Sequence, residues 1–60
     1  MSAANTLDAR EIDEVLRVID AAVSDLSMEI ADTDNATFRA GLRARRDLLV
    51  GVSAKLRSPA

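Results

Sequence analysis

The chain has 60 residues, with ten acidic and eight basic side chains and a formal net charge of −2 at pH 7. It contains no Cys, His, Trp or Tyr and a single Phe. This composition excludes disulfides, Cys/His zinc sites and His-activated nucleophiles. It leaves almost no aromatic surface for stacking on bases, and the acidic balance is not the footprint of a general nucleic-acid binder.

Residues 1–6 (MSAANT) carry neither a basic n-region nor an apolar h-region, so no secretory leader is expected. No apolar run approaches the ~20 residues of a membrane span. The absence of Cys fits a cytoplasmic setting. Seven of the eight bases are Arg and Ala is abundant, a composition in keeping with a GC-rich bacterial or phage gene.

The first predicted element is a helix over residues 9–31. Its start is marked by Asp8 followed three residues later by Glu11, a capping-box spacing, with Leu7 and Ile12 at the positions of a hydrophobic staple. Ala, Leu, Arg and Glu dominate from there, and all favour helix. The polar cluster Asp32-Thr33-Asp34-Asn35 then competes for backbone hydrogen bonds and predicts a turn. A second helix is predicted over residues 35–57, capped by Asp34 or Asn35. Pro59 disfavours helix at Ser58, which leaves 58–60 as a flexible tail to match the flexible start at 1–6.

Apolar spacing joins the two helices. Ile12, Leu16, Ile19, Val23, Leu26 and Ile30 follow a 4-3-4-3-4 rhythm, and Phe38, Leu42, Arg45, Leu49, Val52 and Leu56 repeat it. Folding the chain about residue 34 pairs Ile30 with Phe38, Leu26 with Leu42, Val23 with Arg45, Ile19 with Leu49, Leu16 with Val52 and Ile12 with Leu56. The turn required by this register coincides with the turn predicted from composition, so the expected fold is all-α, an antiparallel two-helix hairpin. Charge agrees. Residues 7–32 hold eight acids and two bases, and residues 33–60 hold two acids and six bases. The expected contacts across the hairpin include Asp20 with Arg46.

A chain this short buries only ~60% of the surface its unfolded form exposes and is marginal alone. With disulfides and metal excluded, self-association is the remaining remedy. The flank carrying Val15, Val18, Ala22, Gly41, Ala44, Leu48 and Gly51 forms a second apolar stripe that the hairpin contact does not explain. Glycine costs ~1 kcal/mol against Ala inside a helix, and here it would let another helix approach closely. The expectation is a dimeric four-helix bundle of two hairpins. The competing reading is an ordinary widened amphipathic stripe with tolerated glycines.

Arg45 is expected inside the seam, either snorkelling or paired with Asp25 or Glu29 of its own chain or of a second copy. Arg39, Arg43, Arg45 and Arg46 are the only features suggesting an anionic contact. The functional expectation is therefore a non-enzymatic interaction and oligomerisation module: a small assembly, adaptor or regulatory subunit. Its partner is itself, with another protein as a further partner and no cofactor, metal or membrane. The alternative is a small oligomeric binder of a nucleotide or nucleic-acid phosphate through the Arg-rich second helix.

Overall fold

The computed structural model describes residues 6–57, and all but Thr6 of the expected flexible ends lie outside the described residues. Two helices, α1 (Ala9–Asp32) and α2 (Ala36–Arg57), pack against each other as a hairpin. At ~1.5 Å per residue they are about 36 and 33 Å long. The whole is a rod of 45 × 21 × 17 Å, a single layer of two helices.

Local chemistry sets the ends. Asp8 caps α1 from extended backbone; its Oδ1 accepts from Glu11 N at 2.8 Å, while Asp8 N donates to Glu11 Oε1 at 2.9 Å. This reciprocal pair satisfies two backbone donors that would otherwise lack partners. Leu7, expected to staple onto Ile12, remains exposed. The chain leaves α1 at Thr33, whose N–H donates to Glu29 O at 3.0 Å. Asn35 supplies the cap of α2, its Oδ1 accepting from Phe38 N at 2.9 Å, and Asn35 N donates to Thr33 Oγ1 at 3.2 Å.

The last turn of α1 holds no basic residue, so its carbonyls must find a donor elsewhere. Arg39, one turn into α2, provides it. Its Nε donates to Ile30 O at 3.3 Å and its Nη2 donates to Thr33 O. The guanidinium ties the end of one helix to the start of the next.

The core is small. Leu26, Ile30 and Leu42 form a buried cluster with Leu49 packed against it, and Ile19 is buried about two turns nearer the start of α1. Leu26 and Leu42 thus share the core, as the predicted register requires. Ile12, Leu16, Ala22 and Val23 of α1, and Leu56 of α2, are partly buried along the same seam.

The rest of the α2 register is corrected. The covered positions of α2 are Arg39, Leu42, Arg46, Leu49, Ser53 and Leu56, whereas Phe38, Arg45 and Val52 are exposed. At about 100° per residue this is a rotation of α2 by about 50° about its own axis relative to the predicted seam. The physical cause lies at the turn. Arg39 must face α1 to reach the two carbonyls, and it brings Arg46 and Ser53 with it at 7-residue intervals. Arg45 is therefore not a seam residue, and Phe38 does not pair with Ile30. The Asp20–Arg46 pair is also corrected: Asp20 receives Arg57 Nη2 at 3.1 Å, and Arg46 Nη2 lies 3.3 Å from its neighbour Asp47.

Candidate interaction surface

The hairpin has two flanks, and the Asp20–Arg57 bridge identifies one of them, because it spans from α1 to α2 on that side. Helix geometry then places Asp13 and Arg43 on the same flank. On the opposite flank α1 presents Val15, Val18 and Ala22, and α2 presents Phe38, Gly41, Leu48 and Val52. Phe38 and Val52 join this flank because of the rotation of α2.

Exposure is concentrated there. Eight large apolar side chains are exposed among the described residues, against four apolar side chains that are buried. Five of the eight lie on the second flank: Val15, Val18 (62%), Phe38 (55%), Leu48 (69%) and Val52. Of the others, Met28 lies on the outer side of α1, Val50 beside Arg43, and Leu7 before α1. In the register set by Leu26 and Leu42, Val15 and Val18 stand at the height of Val52 and Leu48, so these four form one continuous patch, with Phe38 nearer the turn.

The glycines bear on the same question. A Cβ at Gly41 or Gly51 would meet nothing within 4 Å, and neither has positive φ. Nothing inside the hairpin requires glycine at either place. Gly41 borders the apolar flank beside Leu48, while Ala44 and Gly51 lie further round, on the outer side of α2, and are exposed. Ala22 is the only residue of the expected self-association set that the hairpin itself partly covers.

The four arginines do not converge. Arg39 is turned inward onto the carbonyls of Ile30 and Thr33. Arg46 is partly covered and paired with Asp47, Arg43 is exposed on the flank of the Asp20–Arg57 bridge, and Arg45 points to the apolar flank about 100° away from Arg46. A shallow concavity along the first turns of α1 is lined by Arg10, Glu11, Asp13, Glu14 and Arg17; Arg10 and Arg17 each have opposite charges three and four residues away, and all five are exposed.

Among the described residues no group of three or more acidic side chains is placed to hold a metal ion, and no helix is long and apolar enough to cross a membrane. Comparison with protein-family models, with curated proteins and with solved structures finds no match to the chain.

Proposed function

We propose that this chain is a self-association module without chemistry of its own, a helical hairpin that pairs with a second copy to form a four-helix bundle and so serves as an assembly, adaptor or regulatory subunit. The observation that carries this reading is the apolar flank: more large apolar side chains stand exposed on it than are buried in the hairpin core. Scattered exposed apolar residues are ordinary, but a contiguous patch on a small chain marks an interaction site.

Helix geometry supports the same reading. In α1 the apolar positions run from Leu16 through Ile19 to Val18, an arc of roughly 160°; in α2 they run from Leu42 through Phe38 and Val52 to Leu48, roughly 120°. A helix with one neighbour needs only the narrow seam of a coiled coil, whereas a helix in a four-helix bundle touches two neighbours. Each helix here carries apolar side chains over the wider arc, interrupted by Glu11 and Glu29 in α1 and by Arg45 in α2. One edge meets the other helix of its own chain, and the second edge is left for a neighbouring hairpin.

The test is the mass in solution across a concentration series, read together with helicity. The unmodified chain is expected at twice its own mass at micromolar concentration. Val18→Glu and Leu48→Glu should shift it to monomer and lower helicity in step, because folding and association are linked. Added salt separates this reading from phosphate binding, which weakens steeply as counterions compete, whereas apolar association does not.

A further inference from the structure

The charges on the apolar flank specify how the second copy sits, given the self-association proposed above. On this flank α1 carries only acids, Glu11, Asp25 and Glu29, and α2 carries only bases, Arg45 and, at its outer edge, Lys55. None of the five has an ion-pair partner among the described residues; on the other flank Asp20 and Arg57 pair across the helices, while Asp13 and Arg43 do not pair.

Two closed arrangements bring the flanks of two copies face to face. If the twofold axis crosses the bundle, the turns lie at opposite ends and α1 stacks on α1 of the partner subunit. Acids then meet acids and bases meet bases, with Glu29 brought near Glu11 of the partner subunit. If the twofold axis runs along the bundle, the turns lie at the same end and α1 stacks antiparallel on α2 of the partner subunit. With Leu26 and Leu42 in one core cluster, Asp25 then stands near the height of Arg45 of the partner subunit. Glu11 likewise stands near the height of Lys55 of the partner subunit. Between these pairs Val15 and Val18 meet Leu48 and Val52 of the partner subunit. Unlike charges at a flank select one partner geometry and like charges reject the other.

We infer that two copies associate with their turns at the same end, α1 of each lying on α2 of the other, and with Asp25 paired to Arg45 across the interface. Gly41, which lies about two turns before Leu48 on this flank and whose Cβ would meet no atom within 4 Å, then lets α1 of the partner subunit approach near the level of Asp25.

The chain has no Cys, so Asp34→Cys in the exposed turn gives a single labelling site. Spin labels there should lie about 15–25 Å apart in the same-end arrangement, set by helix spacings of 8–10 Å and the label arms. In the opposite-end arrangement they would lie about 35 Å apart or more, the length of a helix. In parallel, Asp25→Arg and Arg45→Asp should each weaken the dimer by about tenfold, and the double variant should recover to within about threefold of the unmodified chain. A dimer with the short distance and with recovery in the double variant supports the inference. A dimer with the long distance, or without recovery, overturns the same-end arrangement and leaves self-association standing. A monomeric unmodified chain overturns both, and a mass above two copies overturns the two-hairpin arrangement.

Discussion

The two flanks of this hairpin are built from the same two helices and solve opposite problems. One is settled within the chain: Asp20 meets Arg57 across the helices, and Arg46 is folded down beside Asp47. The other presents Val15, Val18, Phe38, Leu48 and Val52 to water and leaves Asp25, Glu29, Arg45 and Lys55 without partners. A single layer of helices can close only one seam, so whatever apolar surface lies beyond that seam remains for another molecule. The contrast is therefore informative where composition alone is not.

The largest expected effect collapses both flanks together. Leu26 and Leu42, 6% and 8% exposed, are the centre of the core. Leu26→Ala or Leu42→Ala should cost about 2–5 kcal/mol, read as a shift in the urea midpoint by circular dichroism. For a chain of this size that approaches the entire stability.

Next comes the turn between the helices. Arg39→Ala removes the donor to the Ile30 and Thr33 carbonyls and should cost about 1.5–3 kcal/mol, as expected for hydrogen bonds to a charged group. Arg39→Lys should recover only part of it, because an ammonium cannot reproduce the planar fork. Amide exchange at residues 33–35 should accelerate in both variants.

A smaller effect sharpens the comparison most. Gly41→Ala meets no atom within the hairpin and improves helix propensity by about 1 kcal/mol. In a chain that works as a single hairpin it should raise the denaturation midpoint. In a dimer with close helix approach at Gly41 it should instead weaken association, so the sign of the change distinguishes the two. Smallest of all is Asp20→Asn on the settled flank. The Asp20–Arg57 pair is more than half exposed, and its loss should be worth about 0.2–1 kcal/mol and should fade with salt. Its mass in solution should match that of the unmodified chain.

What could be read from the sequence follows the range of the interactions involved. The capping box at Asp8 and Glu11, the cap at Asn35 and the helix bounds rest on residues within four positions of each other, and they are legible as motifs. The Leu26–Leu42 layer is legible because the turn is short and fixes the register nearest to it. The rotation of α2 is not visible in the heptad pattern, since Phe38, Arg45 and Val52 make a better apolar seam than Arg39, Arg46 and Ser53. The signal that points to it is the bare end of α1, which has no glycine cap and no basic residue in its last turn. Arg39 is the first cation after the turn, so the demand of those carbonyls decides which face of α2 turns inward. The same rotation moves Phe38 and Val52 from the expected seam to the apolar flank. The candidate surface thus differs from the stripe of Val15, Val18, Ala22, Gly41, Ala44, Leu48 and Gly51 read from the sequence: Ala44 and Gly51 turn to the outer side of α2, and Phe38, Val52 and Arg45 join it.

The central claim is that the apolar flank holds a second copy of the chain, and sedimentation equilibrium of the unmodified chain beside Val18→Glu tests it most directly. Val18 lies outside the hairpin seam and is 62% exposed in the single chain, so the substitution leaves the contacts of the hairpin core in place. The predicted result is twice the chain mass for the unmodified protein at micromolar concentration and a single-chain mass with reduced helicity for the variant. A fully helical monomer for both, at every concentration in the micromolar range, would contradict it.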